Sequence, residues 1–200
     1  MQTQYQKVRE FMQAFGQECP PYPAIPAQDI RELRFKLIDE ERDEFRDAKT
    51  EVDRFDAILD MSYVIMGAAI AYGIHGDHLE PRPNSLGLDA CNTDLRYACT
   101  LRMCISTINW MLGWIEEEAA FQGWNKWQME NGFAEVHRSN MSKFWSLEEC
   151  DAFLRNTLNP QYIFKQSPCG RFVVKNQSGK IIKSPSYSPA NLGPILEGKV

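Results

Sequence analysis

The 200-residue chain is long enough for one domain with a sizeable core, or for a domain followed by a tail. Hydrophobic residues make up 44% and charged residues 24%, the balance of an ordinary soluble globular protein. The net charge of -5 argues against the basic surface typical of nucleic-acid-binding proteins, so we expect no nucleic-acid partner.

Targeting and membrane signals are not expected either. The longest apolar run, around 62–74, is too short to cross a bilayer and predicts a buried helix. The first residues lack an apolar segment with a cleavage site, so we expect no secretory signal. The six cysteines include no C-x-x-C pair, which argues against zinc or a disulfide framework and favours a reduced, cytoplasmic setting.

Hydrophobic spacing predicts an all-α bundle. The predicted helices cover roughly 3–15, 30–49, 53–72, 93–121 and 126–140. Asp29 and Glu32 are spaced as a capping box at the start of the second helix, and Gly73 ends the third. The stretch 79–92 is rich in Pro, Gly and Asn and predicts a loop.

The C-terminal part differs in composition. Ser146 and Glu149 are spaced to cap one more short helix. The sequence RFVVKNQSGKIIK, at 171–183, predicts a small hairpin with its turn at 176–179. The proline-rich stretch 184–194 predicts irregular structure. We therefore expect a helical domain over 1–145, with an insertion at about 80–123, and a C-terminal extension over 146–200.

The second predicted helix changes character along one face. Its apolar stripe runs through Ile30, Leu33 and Leu37. The next positions on that face are carboxylates: Glu40, Glu41 and Glu44. Such a row is also common where a helix simply leaves the core, so this helix alone does not decide between a solvated end and a site.

The third predicted helix decides in favour of a site. Asp53, Asp56 and Asp60 share one face of a helix that is otherwise apolar nearly all round. A buried carboxylate is normally paired, protonated or bound to metal, because desolvation of an unpaired one costs several kcal/mol. Facing carboxylates on the two helices suit Mg²⁺, which prefers oxygen ligands and combines carboxylates with substrate phosphates. The predicted metal ligands are Glu40, Glu41, Glu44, Asp56 and Asp60, with Asp53 in reserve.

These residues resemble a known family. The run Glu40, Glu41, Arg42, Asp43, Glu44 matches the E-E-x-x-E signature of the MazG-like, all-α NTP pyrophosphohydrolases, and DAILDMSYVIMGAAIAYGI is similar to that family's third helix. The run EVHRSNMSK at 135–143 and the tail SGKIIKSPSYSPANL resemble segments of phage and bacterial members that cleave dUTP or dGTP. The E-x-x-D half of the signature is ambiguous, since Asp53-x-x-Asp56 has Asp for Glu and alignment on Asp60 places Ala57 at the acidic position.

The resemblance implies a MazG-like helical bundle that converts a (deoxy)nucleoside triphosphate and water into the monophosphate and pyrophosphate. It implies Mg²⁺ as cofactor, with Mn²⁺ as a substitute, and a homodimer or homotetramer. We expect Glu41 and Glu44 to be catalytic, with Glu41 activating the water. The expected substrate-binding residues are Arg34, Lys36, Arg138, Asn140 and Lys143.

Two rival functions stay open. One is hydrolysis of another pyrophosphate, such as phosphoribosyl-ATP. The other is a non-catalytic homologue that binds nucleotide or metal. The sequence does not identify the base, and dUTP and dGTP rank nearly level.

Overall fold

The computed structural model describes residues 2–83, 95–156, 161–167, 170–177 and 181–198. The helices of this part are α1 (Gln2–Ala14), α2 (Gln28–Asp47), α3 (Glu51–Ala71), a 3-10 turn (Gly76–His78), α4 (Leu101–Phe121), α5 (Lys126–Met141), α6 (Leu147–Asn156) and α7 (Gly193–Leu196). The strands are β1 (Tyr162–Gln166), β2 (Phe172–Asn176) and β3 (Ile181–Ile182). The predicted all-α class with a short C-terminal hairpin is confirmed.

Helix α3 is the centre of the bundle. Fourteen of its 21 residues are buried, and it packs against α1, α2, α4 and α5. Its first turn is fixed by a capping box, in which the Thr50 hydroxyl accepts from the Asp53 backbone N–H and the Asp53 carboxylate accepts from the Thr50 N–H, both at 3.1 Å. It ends before Gly73, whose φ of 66° is favourable for glycine alone, and whose Cβ would collide with the Tyr22 carbonyl.

Helices α2 and α3 form an antiparallel pair, because only residues 48–50 connect them. Their contact is the most extensive between described helices. The carboxylates of the second half of α2 therefore lie beside those of the first half of α3.

The C-terminal residues fold back onto the bundle. The three strands form an antiparallel sheet in the order β1, β2, β3, and Val174 pairs with Ile182. The Trp145 indole is buried under this sheet and donates to the Ile182 carbonyl at 2.9 Å. This anchor places the chain after β3 next to α5.

Most predicted boundaries are confirmed within two residues for α1, α2, α3 and α5. The hairpin at 171–183 is confirmed by the pairing of β2 with β3. Residues 178–180, which include the second half of the predicted turn, lie outside the described residues. Strand β1 was not predicted. Ser146 and Glu149 cap α6 as expected. The predicted irregular stretch 184–194 is correct up to Gly193, where α7 begins.

One predicted helix cap and one predicted helix start are wrong. Helix α2 begins without a side-chain cap at Ala27, so Asp29 does not form the expected capping box. Helix α4 begins at Leu101 rather than at 93, because the Thr100 hydroxyl accepts from the Met103 N–H and starts a new helix there. Residues 95–97 are helical as predicted, but 98–100 separate them from α4. Residues 93–94, and 84–92 of the predicted loop, lie outside the described residues.

The predicted core face of α2 is also wrong. Leu33 is 46% exposed, whereas Arg34 and Ile38 are the buried residues of this helix. The helix is rotated by about one position from the expected stripe, because Arg34 lies against α3 while Leu33 faces outward. The rotation puts Glu41, which continues the Arg34 and Ile38 face, directly against α3.

Among the residues that the structure describes, no helix is both long and apolar enough to span a membrane.

Candidate active site

A cavity of about 460 Å³ lies between the helical bundle and the C-terminal segment. Its volume is within the range of small-molecule sites. Helices α1, α2, α3 and α5 and the chain from β3 to 190 all contribute to it. The polar side chains of its wall are Gln17, Arg34, Glu41, Asp56, Asp60, Tyr63, Ser139, Asn140, Lys143, Lys183 and Tyr187.

Three of the five predicted metal ligands line this cavity: Glu41 from α2, and Asp56 and Asp60 from α3. The two aspartates are one turn apart and so share a face of α3. Glu41 Oε2 is buried and has no hydrogen-bond partner among the described residues. An orphaned carboxylate oxygen of this kind lacks the partner that its desolvation requires.

The crowding of these carboxylates alters their acidity. Burial, then the charges of Asp60 and Glu44, raise the pKa of Glu41 to about 8. Burial and the neighbouring Asp56 raise the pKa of Asp60 to about 7, against the opposing effect of Lys143. Burial and the nearby Glu44 raise the pKa of Asp56. Near neutral pH the cluster therefore favours a bound proton or another cation.

The remaining predicted acidic residues lie at the edge of the site. Glu40 and Glu44 are exposed and outside the cavity wall, although both raise the pKa of Glu41. Asp53, the reserve ligand, is exposed and its carboxylate accepts from the Thr50 N–H in the capping box.

Cations lie opposite the carboxylates. Lys143, at the end of α5, lines the cavity and its ammonium donates to Asn140 Oδ1. Burial lowers the pKa of Lys143, although Asp60 acts to raise it. Lys183 lines the cavity from the chain after β3, with its Nζ 4.2 Å from the Tyr187 ring centroid. The site therefore combines an acidic side with a basic side.

The other predicted substrate-binding residues are placed differently. Arg34 lines the cavity and is only 6% exposed, whereas Lys36 is exposed and outside the cavity wall. Arg138 is exposed and also outside it. Its guanidinium donates to both carboxylate oxygens of Glu135, at 2.7 and 2.8 Å, and to the Pro189 carbonyl at 2.9 Å. Arg138 thus holds the C-terminal segment in place.

Sequence reasoning assigned no role to the C-terminal segment, 181–190, although the resemblance included it. Its lysine and tyrosine line the cavity, and polar contacts with α5 and its C-cap residue attach the segment to the bundle. Tyr187 Oη lies 3.2 Å from Ser139 Oγ, and the Ser188 N–H donates to Ser142 Oγ at 3.0 Å. The sequence signal that could have pointed to this role is a lysine and a tyrosine in or beside a proline-rich stretch. Composition alone predicts only irregular structure for that stretch.

The residues fit a magnesium ion in their chemistry. Hard oxygen donors cluster on two helices, one oxygen of Glu41 is buried without a partner, and lysines suited to phosphate stand opposite. No three acidic, His or Cys side chains of the described part converge closely enough to hold an ion by themselves. Mg²⁺ commonly uses one or two carboxylates together with waters and substrate phosphates, so a preformed cage is not required.

The chain was compared with known protein families, curated proteins and solved structures. Residues 8–81, just over a third of the chain, match the family model described as phosphoribosyl-ATP pyrophosphohydrolase. This region is therefore similar to pyrophosphohydrolases, which are hydrolases that act on phosphoric anhydrides. Its family is part of the MazG-like all-α NTP pyrophosphohydrolase superfamily. No curated protein and no solved structure matches the chain significantly.

The raised pKa values predict an unusual pH dependence of stability in metal-free protein. Protonated Glu41 and Asp60 are favoured in the folded state, so their stabilisation is present below about pH 4, the pKa range of unfolded carboxyls. It is lost as pH rises through about 7 and 8. Glu44, Asp56, Lys143 and Lys183 are the other charges facing them.

We therefore expect the melting temperature in EDTA to fall between pH 6 and pH 9, and millimolar Mg²⁺ to oppose the fall. The Glu41→Gln variant, neutral at every pH, serves as the control and should show a shallower fall. An equal slope for both proteins would contradict the assignment of the dependence to Glu41.

Proposed function

We propose that this protein is a Mg²⁺-dependent nucleoside triphosphate pyrophosphohydrolase that acts on a deoxynucleotide such as dGTP or dUTP. The observation that supports it best is a cavity with carboxylates Glu41, Asp56 and Asp60 on one side and Lys143 and Lys183 on the other. Phosphates and their counter-cations need both signs of charge close together.

The protein's own groups divide the work. Lys143 and Lys183 hold phosphate oxygens by charge-assisted hydrogen bonds, and Asn140 orients Lys143 by accepting from its ammonium. Glu41 orients a water against the α-phosphorus and accepts its proton at the buried Oε2. The ionised form of Glu41 is the one that accepts the proton, and a cation bound beside Glu41 would favour that form over the neutral one. Mg²⁺, held by Glu41, Asp56 and Asp60 with Glu40 and Glu44 at the edge, would offset phosphate charge and increase the acidity of the water.

Phosphoribosyl-ATP is a second candidate substrate, which the family match at residues 8–81 favours. It has the same type of bond, a phosphoric anhydride next to a nucleoside, and makes the same demands on the charged groups. The two candidates differ in the sugar and base regions, which the charged groups do not distinguish.

A substrate panel tests the proposal. Pyrophosphate release is measured with each common dNTP and NTP and with phosphoribosyl-ATP, in Mg²⁺, in Mn²⁺ and in EDTA. Metal-dependent formation of monophosphate and pyrophosphate from dGTP or dUTP is the expected result. Turnover of phosphoribosyl-ATP alone would favour the second candidate, and no turnover of any of them by folded protein would contradict both.

The C-terminal segment gives a more specific expectation. Lys183→Met should lower kcat/KM about tenfold, because an exposed cation loses one charge-assisted contact with phosphate. Lys175→Met is the matched control, since it removes a lysine of the neighbouring strand β2 outside the cavity wall. Equal effects of the two changes in steady-state assays would remove Lys183 from the site.

We also propose that the protein is a homodimer or homotetramer, as the family resemblance implies. Light scattering on the purified protein measures the mass directly, and a monomer at micromolar concentration would contradict it.

A further inference from the structure

The cavity has a second polar region away from the carboxylates. Arg34 lies on α2 seven residues before Glu41, which corresponds to about 10 Å along a helix. Gly67 lies on α3 seven residues after Asp60 and faces Arg34 in the antiparallel pair. We call Arg34, Gln17 and Gly67, which all line the cavity, the arginine end.

Arg34 is buried without a carboxylate partner among the described residues. It is 6% exposed, and its one hydrogen bond donates from Nη2 to Gln17 Oε1 at 2.8 Å. Burial lowers the pKa of Arg34, and the Cys19 thiol, rather than a carboxylate, opposes this effect. A buried arginine normally faces a carboxylate or another acceptor, so this one has donor capacity left for a ligand.

The arginine end is made for close approach. Nη1 of Arg34 lies 3.2 Å from the point where a Cβ of Gly67 would stand, so the guanidinium lies directly against the α3 backbone. The Val8 and Met12 side chains flank the same point at 3.9 and 3.7 Å. Apolar walls and a flat guanidinium together suit a planar, partly polar group, and Lys143 and Lys183 are available to the phosphates elsewhere in the cavity.

Gln17 adds a second donor. Its Oε1 is occupied by Arg34, which orients its amide so that Nε2 is the atom left to bind a ligand. No described residue accepts from Nε2 in this structure. The arginine end thus offers N–H donors from two side chains, and its one side-chain acceptor is already used.

We propose that the arginine end recognises the base of the nucleotide by the group at purine C6 or pyrimidine C4. It selects guanine and uracil, which have a keto oxygen there, against adenine and cytosine, which have an amino group there. This inference rests on the proposed function and specifies its substrate class. A keto base presents acceptors to the donors, such as O6 and N7 of guanine. An amino base presents an N–H₂ group to them, which leaves buried donors unpaired on both sides.

The spacing agrees with this assignment. With the reacting phosphate between Glu41 and Lys143, the sugar and base extend along α2 and α3 towards Arg34. Phe11 lines the cavity and is partly exposed, so its ring offers an aromatic surface beside the path.

The test compares dITP with dATP, two purine nucleotides that share a sugar and triphosphate and differ in having a keto or an amino group at C6. Wild-type kcat/KM should favour dITP over dATP, and dUTP over dCTP, by about tenfold or more. Arg34→Met should bring each ratio close to one by lowering the keto substrates. Arg31→Met, which removes an arginine of α2 outside the cavity wall, is the matched control and should preserve both ratios.

The outcomes separate the possible roles of Arg34. If Arg34→Met lowers all four nucleotides by one factor, Arg34 binds phosphate and the inference is overturned. If that variant does not fold, Gln17→Leu, at a partly exposed position, makes the same comparison and should also lower the keto preference.

Loss of the proposed function is recognised independently. If wild-type protein turns over no nucleotide, the stabilisation of its melting temperature by dIMP and by dAMP still decides the inference. Stronger stabilisation by dIMP that Arg34→Met removes would support the base site, and equal stabilisation by both would overturn it.

Discussion

The Glu41→Gln variant is expected to lose about a thousandfold or more in kcat while keeping its fold. The amide has nearly the same shape, but it can neither accept the proton of water nor contribute a negative oxygen to a cation. Proton transfer by a positioned side chain is worth roughly a hundred- to ten-thousandfold, and loss of a cation ligand adds to this effect. Steady-state pyrophosphate release, with circular dichroism on the same sample, measures both quantities.

The fold of this variant should be preserved for a reason specific to Glu41. The buried Oε2 accepts no hydrogen bond from the part of the chain that the structure describes. The pKa of about 8 means that the metal-free protein already favours a neutral side chain here near pH 7. Asp43→Asn is the matched control, because Asp43 lies on the same helix, is exposed and pairs with Arg42 and Arg46 outside the cavity wall. Activity of Glu41→Gln close to that of Asp43→Asn would exclude Glu41 as the group that activates water.

The Lys143→Met variant is expected to lose about a hundredfold in kcat/KM. Lys143 is half-buried in the cavity wall near Asp60 and Tyr187, and a charge-assisted hydrogen bond in such a place is worth a few kcal/mol. The change also leaves Asp60 without its nearest opposing cation. The pH dependence of kcat/KM should therefore shift upward as the pKa of Asp60 rises further.

Arg138→Met is the informative comparison for Lys143. The sequence run EVHRSNMSK gave the two residues equal standing as phosphate ligands, but Arg138 binds Glu135 and the Pro189 carbonyl instead. Its removal should loosen the C-terminal segment and change kcat/KM by only a few-fold, with a lower melting temperature. A larger kinetic loss for Arg138→Met than for Lys143→Met, in protein that stays folded, would reverse the two assignments.

The α2–α3 hairpin is the part that could be predicted best. Its helical period is strong, only three residues connect the helices, and the acidic residues interrupt apolar faces. These features predicted that Glu40, Glu41 and Glu44 would face Asp56 and Asp60. Glu41 and the two aspartates do line one cavity, whereas Glu40 and Glu44 lie outside its wall. The rotation of α2 could not be predicted, since hydropathy ranks Leu33 above Arg34 for burial and takes no account of a cavity that a buried cation lines.

The C-terminal contribution was beyond prediction for a different reason. Composition alone predicts that 146–200 form an extension separate from the bundle, because the prolines and serines in 184–194 favour no regular element. Its position depends on tertiary contacts, such as Trp145 with the Ile182 carbonyl and Glu135 with the Asn191 N–H. Contacts between residues 37 and 56 positions apart leave no periodic trace in the sequence.

The proposed pyrophosphohydrolase reaction requires attack of water at the α-phosphorus. Hydrolysis in ¹⁸O-labelled water measures which phosphorus is attacked. With Mg²⁺ and the best substrate of the panel, we expect mass spectrometry to find one ¹⁸O in the nucleoside monophosphate and none in pyrophosphate. Label in pyrophosphate would place the attack at the β-phosphorus. Label in orthophosphate, with nucleoside diphosphate as the other product, would contradict the assignment of the cavity as a pyrophosphohydrolase site.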